Sequence, residues 1–572
     1  MRRFAFVVLL IAAPAIAAFV ILREPASVAA TAPPHGLPAF TVGLPADVET
    51  AMNSIDAERL RAHTVFLGSD LLEGRYPGER GGEIATDYMA TQFAMLRLQP
   101  AGDNGTYLQK IPMVFMKAQP ASQFQFVPRH GQPITLKFLD DIVVQNETQT
   151  ETAEVDAPVV FVGYGIDAPE FKWDDYKGVD VRGKVLLMFA GQPPQTLSPT
   201  KGLTWYYKWT YKWDEAATKG AVGAIIINRQ DMSTADWQWI QNTHGYGRTY
   251  LKYDQTPKVK AASWIQWEMG RKLLSLAGRD LDQMLELAKT PDFRPVEIPV
   301  NFNARVVSKV HRFEASNVSA IVPGSDPMLK DEAVLYTAHW DHLGIVPEKS
   351  GDNIYNGSRD NATGCASLLE IARAFAMSPV RPARSILLVA DAAEEQGMIG
   401  VEYLAKHVPG PAKKVVVDLN YDGQNPFGDA REVRAGGVDQ TDLHAHAQTL
   451  AERFGMTLAA PAGAGAGCCR SDVFWLNAVG IPALSMGPGK FDGPSPDWIK
   501  EQTKVGGECY HQPCDQYNPS WDFRGPARVA RFGFALGWQA ASRAAAVEWK
   551  PGAEYAAAKK KPMFCAWDHL CP

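Results

Sequence analysis

The sequence predicts an α/β protein: a mostly parallel, mixed sheet flanked by helices on both faces, with a β-rich domain inserted ahead of it. Three observations predict this. From about residue 317, apolar runs of strand length alternate with amphipathic stretches of helical period, at the spacing that parallel strands and crossover helices require. Between about 112 and 310 the texture changes to short apolar runs punctuated by Val and Gly. Acidic and imidazole side chains of the later part fall where its strands should end, which is where open α/β sheets bind ligands.

The chain has 572 residues, more than one core accommodates, so about two to four domains are expected. We divide it at 1–34, 35–115, 116–315 and 316–572. In the first segment Met1-Arg2-Arg3 precedes an apolar run from Phe4 to Leu22, interrupted by Pro14 and followed by a Pro/Ala-rich tract. A basic start before such a run reads as an export signal, with small residues at 27–30 for cleavage. The run is also nearly long enough to span a bilayer, so an uncleaved N-terminal membrane anchor stays open. The second segment reads as a helix capped by Asp56, with Leu60, His63, Phe66 and Leu67 on its apolar face. The loop EGRYPGERGG and a second helix, EIATDYMATQFAMLRL, follow. This segment is too small for its own core and is expected to pack on the C-terminal part, with Arg75 and Arg80 as solvated loop arginines.

The third segment predicts strands at 159–164, 184–189 and 222–227, with a helix from YYKWTYKWDEAATKG before the last; the aromatic stretch 205–213 reads as core and interdomain packing. In the fourth, VLYTAHWD is a strand ending at His339, SILLVADAAEE one ending at Glu394-Glu395, and KKVVVDLNYD one ending at Asp422. Helices are expected from CASLLEIARAFAM, GVEYLAKHV and HAHAQTLAERFG, then a strand from IPALSMG and a long closing helix from 524. The Gly/Pro-rich stretches 460–469 and 486–500 read as loops lining a pocket.

A net charge of -6 and a sequence pI of about 6.1 leave no basic surface, which excludes nucleic acid as a partner. Seven cysteines are few for this length, so disulfides are local staples, and the odd count leaves at least one thiol unpaired. Cys509 and Cys514 bracket His511, Cys565 and Cys571 sit six apart, and Cys365, Cys468 and Cys469 are left over. Pairing is not readable from spacing.

The chemistry lies in HWDHLGIV from His339, DNATG with Asp360, the pair Glu394-Glu395, DLNYDG with Asp422, and CYHQPCD with His511. Two imidazoles with several carboxylates suit a borderline-soft divalent ion such as Zn2+, and Co2+ or Mn2+ would be tolerated in vitro. Peptide hydrolysis needs an activated water, a polarised carbonyl and a protonated leaving amine; two ions bridged by a carboxylate, with a free carboxylate beside them, supply all three. Adjacent glutamates at a strand end face different directions, so one can bind metal while the other moves the proton.

In order, these segments resemble the M28 family of di-zinc peptidases, mostly aminopeptidases, through the patterns HWDH, G-x-DNASG (here DNATG), EE-x-G-x-x-G, N-x-D and YH-x-x-x-D. The resemblance runs from about Asp56 to the end and is strongest over 317–517. It implies a phosphorylase/hydrolase-like zinc peptidase core holding two Zn2+. His339 and Asp422 would hold one ion, Glu395 and His511 the other, and Asp360 would bridge them. Glu394 would be the general base, Asp341 would orient His339, Tyr510 would help stabilise the oxyanion, and Cys509 would pair with Cys514. The wording VGYGIDAPEFKWDDYKGVDVRGKVLL, with the later GAVGAIII, resembles the protease-associated (PA) domain, implying a lid or substrate-side wall at 116–315. RSDV at 470–473 departs from the usual SDH or SDY, a change in pocket shape, and His342, the best spare imidazole of the site, reads as neighbouring-loop structure in preference to metal binding. Three functions follow. The first is a periplasmic or secreted aminopeptidase acting on peptide substrates, whether released or anchored to the inner membrane. The second is a carboxypeptidase with Arg431, Arg434 and Arg470 as a carboxylate clamp. The third is a non-catalytic binding protein, which should have lost ligands that are all present here. Preferred terminal residue and oligomeric state are not legible.

Overall fold

A computed structural model describes residues 37–559 apart from 195–196, 198–203, 234, 246, 253–256, 347–349, 462–470 and 557. The expected signal or anchor, Cys468, Cys469, Arg470, Cys565 and Cys571 lie outside the described residues. Among the described residues no helix is long and apolar enough to cross a membrane.

Four parallel strands form the centre, in the order Ser385–Asp391, Glu332–His339, Lys414–Tyr421 and Ala483–Pro488. All of Ser385–Asp391 is buried, which is why its sequence is a continuous apolar run rather than an alternation. Along Glu332–His339, Val334, Tyr336 and Ala338 enter one core while Ala333 and Leu335 enter the other, as the two-residue period of a strand demands. Helices Thr363–Met377 and Arg524–Ser542 cover the first face, with Phe375 and Phe534 rings 4.3 Å apart. Ile399–Lys406 and Val473–Ala478 contribute Val401, Leu404, Phe474 and Leu476 to the second. The architecture is therefore a mixed, largely parallel sheet flanked by helices on both sides.

Beside Ser385–Asp391 runs an antiparallel strand of 27 residues, Val296–Val322. Its end pairs with Ser385–Asp391, its middle with Leu108–Ala118, and its start with Thr152–Phe161. It passes through the 315/316 division drawn from sequence texture, because its pairing with Leu108–Ala118 runs on from 308 to 318, although Ile298, Val300, Phe302, Ala304 and Val306 enter one core and Ala315, Val318 and Ala320 another. Behind Thr152–Phe161 lie Val185–Phe189, Gly223–Asn228 and Ala261–Gln266, all parallel, with helix Trp209–Thr218 crossing between two of them.

Asp56 caps helix Ala57–Leu67, accepting from the amides of Glu58 (3.0 Å) and Arg59 (3.1 Å). The next helix, Arg80–Met95, begins inside the stretch read as a loop. The misleading signal is Gly81-Gly82: a Cβ on Gly81 would sit 1.8 Å from the Leu72 carbonyl oxygen, so these glycines serve close packing rather than a turn. Likewise the stretch 486–500 read as a loop yields helix Pro496–Glu508, with Ser495 accepting from the Trp498 amide at 3.1 Å and Pro at the first turn.

Candidate metal centre

His339 ends its strand, and Asp422 directly follows the neighbouring one. His339 Nε2 lies 3.3 Å from Asp360 Oδ1 and 3.5 Å from Asp422 Oδ1. The other oxygen of Asp360, Oδ2, lies 3.3 Å from His511 Nε2, which is 3.0 Å from Glu395 Oε2. Two groups of ligand atoms thus share Asp360, one oxygen each. Ligands about 2.1 Å from a tetrahedral zinc lie about 3.4 Å from one another, and the observed spacings bracket that value. His339 Nε2 is buried without a hydrogen bond of acceptable geometry, although two carboxylate oxygens stand close by. An orphaned ring nitrogen at ligand spacing is what a metal site leaves when only its protein atoms are considered. The donor set fits two divalent ions, as the sequence pattern suggested.

The electrostatics agree. Burial pushes the Glu394 carboxyl well above the usual range, Glu395, Asp422 and Asp360 add to this, and His339 opposes it. Burial also works against charge on Asp360, yet the imidazoles of His339 and His511 that face it hold it well below the usual carboxylate range. Glu395 falls to about 2 against the effects of burial and Asp360, because His342 and His511 face it. His511, despite partial burial, is raised to about 10 by Asp360 and Glu395. The imidazoles take up protons to balance the carboxylates, and a bound dication would displace those protons.

The surrounding contacts place the ligands. Asp341 accepts from the amides of Glu394 (3.0 Å, Oδ1) and Glu395 (3.4 Å, Oδ2). Its carboxylate stands 3.8 Å from His339 Nδ1, while its backbone carbonyl is nearer, at 3.3 Å. Asp341 therefore acts chiefly on the loop carrying the two glutamates. Asp515, the last residue of the YH-x-x-x-D pattern, accepts from the amides of Asp360 (3.0 Å) and Arg359 (3.1 Å). Asn361 ties the Asp360 loop to the Asp422 loop through the Tyr421 carbonyl (2.9 Å) and the Gly423 amide (3.1 Å). Ser471 donates to Asp422 Oδ2 at 3.0 Å. Asp391 and Asp472 are both buried, and burial raises both carboxyls: Asp391 to about 6 against the effects of Asp472 and His339, and Asp472 well above the usual range with Asp391 and Glu394 adding to it.

Arg75 corrects the sequence reading. It is buried, not solvated: Nε donates to the Trp340 carbonyl (2.7 Å), Nη1 to those of Leu67 and Asn356 (both 2.5 Å), and Nη2 to that of Gly357 (2.9 Å). It thereby clamps the His339 loop to the Asp360 loop. Arg80 is exposed and pairs with Glu73 at 2.8 Å. His342, read as loop structure, is buried with Nδ1 2.5 Å from Glu395 Oε1, so three imidazoles converge on the carboxylates. Its place in HWDH marks it as the spare imidazole of the site, and its ligand atom groups with those of Asp360 and Glu395, which favours the alternative of a metal-facing role over plain loop structure.

His511 lies in the loop closed by the Cys509–Cys514 disulfide, which belongs to an oxidising, non-cytoplasmic compartment. The Tyr510 ring stacks on that of His511, centroids 3.9 Å apart, and stays half exposed. Cys365 is a free, buried thiol donating to the His339 carbonyl at 3.2 Å. Of the arginines named for a carboxylate clamp, Arg431 pairs with Asp492 at the surface and Arg434 is exposed.

Residues 317–531 match the model of peptidase family M28. A probable zinc metalloprotease of Leptosphaeria maculans is 31% identical over 210 residues, 36% of this chain and 42% of that protein. A probable zinc metalloprotease of Pyricularia oryzae is 27% identical over 183 residues, 31% of this chain and 32% of that one. The chain thus spans less than half the length of these curated relatives. Among solved structures, an aminopeptidase from Aneurinibacillus sp. strain AM-1 covers 88% of this chain and 98% of its own, at 19% identity and a TM-score of 0.49.

Proposed function

We propose that the chain is a dinuclear zinc exopeptidase of the M28 type, an aminopeptidase that removes N-terminal residues from peptides. The observation that carries this reading is Asp360, whose two oxygens face separate His–carboxylate pairs. His339 and Asp422 would hold one ion, His511 and Glu395 the other, and Asp360 both, with His342 steering Glu395. When bound, the two ions supply Lewis-acid polarisation of the scissile carbonyl and lower the pKa of the attacking water.

The chain's own residues do the rest. Glu394 receives the proton of the attacking water and returns it to the leaving amine, a transfer worth roughly 10²–10⁴ in rate. Asp341 sets the direction of Glu394 by holding its amide. Tyr510, flat against His511 at the rim, offers its phenol to the developing oxyanion. Arg431 is engaged elsewhere and Arg434 is exposed, so neither supports a carboxylate clamp, and we favour the N-terminal direction over the carboxypeptidase one. We read the sheet around 152–266 as a PA-like lid, and the N-terminal segment as an export signal or anchor that directs the protein to the periplasm. The disulfide beside His511 supports that location.

The test is a panel of free, N-acetylated and C-amidated peptides of four or more residues, assayed with zinc-loaded protein. N-acetylation should cut cleavage at least ~100-fold, or about 2.7 kcal/mol of transition-state binding, and amidation should matter little. Tolerance of the blocked N-terminus would overturn the aminopeptidase reading.

A further inference from the structure

We propose that the cleft between the strand Arg248–Leu251 and the loop after Glu395 is a substrate subsite for a carboxylate, with Arg248 as its recognition residue. The proposal rests on the peptidase reading and adds a substrate class to it. The cleft is a partly open cavity of about 90 Å³. Trp209, Tyr250 and Arg248 form one wall, and Gln396, Gly397 and Trp475 the other.

Its position ties it to the chemistry. Gln396 and Gly397 follow Glu395 directly in the chain. The Tyr76 hydroxyl lies 3.2 Å from Gln396 Oε1 and 3.3 Å from Thr249 Oγ1, so it locks the catalytic loop to the strand Arg248–Leu251. Arg248 then reaches over the loop: its Nη2 stands 3.1 Å from the point a Cβ on Gly397 would occupy. Gly397 has φ +117, which glycine tolerates, and its missing side chain leaves the guanidinium its place.

The other charges of the cleft are engaged, Lys208 standing 5.6 Å over the Phe474 ring. Lys258 pairs with Asp214, and Glu402 pairs with Lys406 at 3.0 Å. Glu147 is buried in the same wall, its carboxyl pushed up to about 7 by burial and Asp214 against Lys258 and Arg248, and it stands beyond ion-pair distance of Arg248. Arg248 is half-buried and has no carboxylate within ion-pair distance among the described residues. Its contacts are the faces of Trp209 (5.7 Å) and Tyr250 (5.9 Å) and a long approach of Nη1 to His244 Nδ1 (3.5 Å). The rings orient the guanidinium without consuming its donors. A planar fork held in this way matches a carboxylate bidentately, and a half-buried cation without a partner gains most from one.

Two carboxylates fit: the C-terminus of a short peptide, or an acidic side chain downstream of the scissile bond. The experiment uses the zinc-loaded full chain, its Arg248→Gln and Arg248→Lys variants, and peptide pairs differing in one group. One arm compares di- and tripeptide acids with their amides; the other compares Glu with Gln at the second and third positions of longer peptides. The parent protein should favour the carboxylate member of one arm at least ~10-fold in kcat/KM, through KM. Arg248→Gln should bring that ratio close to one, and Arg248→Lys should keep part of it. A parent ratio of one in both arms overturns the proposal without any variant, as does a ratio that survives Arg248→Gln. Either result leaves the aminopeptidase reading standing, because cleavage of the neutral peptides tests that separately.

Discussion

The two halves of the metal centre are made from different material. His339 ends a strand buried on both faces, and its side chain is 1% exposed. His511 follows a surface helix, sits at φ 55 in a disulfide-closed loop, and is 35% exposed. One imidazole is fixed by the core, with Arg75 and Asp341 bracing the loops beside it, and the other by a crosslink. Damage to the core should therefore cost fold and centre together, while damage to the crosslink should cost one half of the centre and spare the fold.

The largest effect belongs to groups both halves share. Glu394→Gln should lower kcat by roughly 10³ while leaving zinc content near normal, because only the proton shuttle is removed. Steady-state kinetics alongside elemental analysis checks this, and a variant that loses zinc instead would reassign Glu394 as a ligand. On the core side, Arg75→Met should destabilise the metal-free protein by at least about 3 kcal/mol, since four buried carbonyls lose a charged donor. Urea unfolding measures it, and a loss under about 1 kcal/mol would mean that water replaces the clamp. On the crosslink side, the double change Cys509→Ser, Cys514→Ser should weaken one zinc site about tenfold and leave the other and the unfolding midpoint nearly unchanged. Equal weakening of both sites would erase the contrast between the halves.

The smallest effect concerns pH. His511 is raised in the metal-free protein from its ordinary value to about 10, against partial burial, by Asp360 and Glu395. A raised pKa contributes stability fully present below about 6.5 and lost as pH rises through about 10. The stability difference between the metal-free parent and His511→Gln should therefore shrink between those limits, and a difference flat over that window would contradict the pairing.

Much of the centre was legible because parallel strands announce themselves as apolar runs, and His339 and Asp422 stand at their ends. Glu394 and Glu395 could be placed after a strand, although that strand stops at Asp391. The bracing was not legible. Arg75 works on carbonyls as far as 282 residues away, and no side-chain period reports which carbonyl oxygens a guanidinium will meet. Arg248 was hidden in the same way, and so was the partner of His342, each defined by contacts that only the fold supplies. Val296–Val322 shows the limit at larger scale: texture marks a change of surroundings, and the burial alternation lapses over 309–314, yet one strand spans it because its backbone stays paired with Leu108–Ala118 throughout.

The central claim is that Asp360 serves two ions with one carboxylate, and zinc stoichiometry tests it most directly. Native mass spectrometry of the zinc-loaded parent, Asp422→Asn and Asp360→Asn should give about two, one and no zinc ions per chain. A parent with a single ion, or an Asp360→Asn protein that holds as much zinc as Asp422→Asn, would contradict the account.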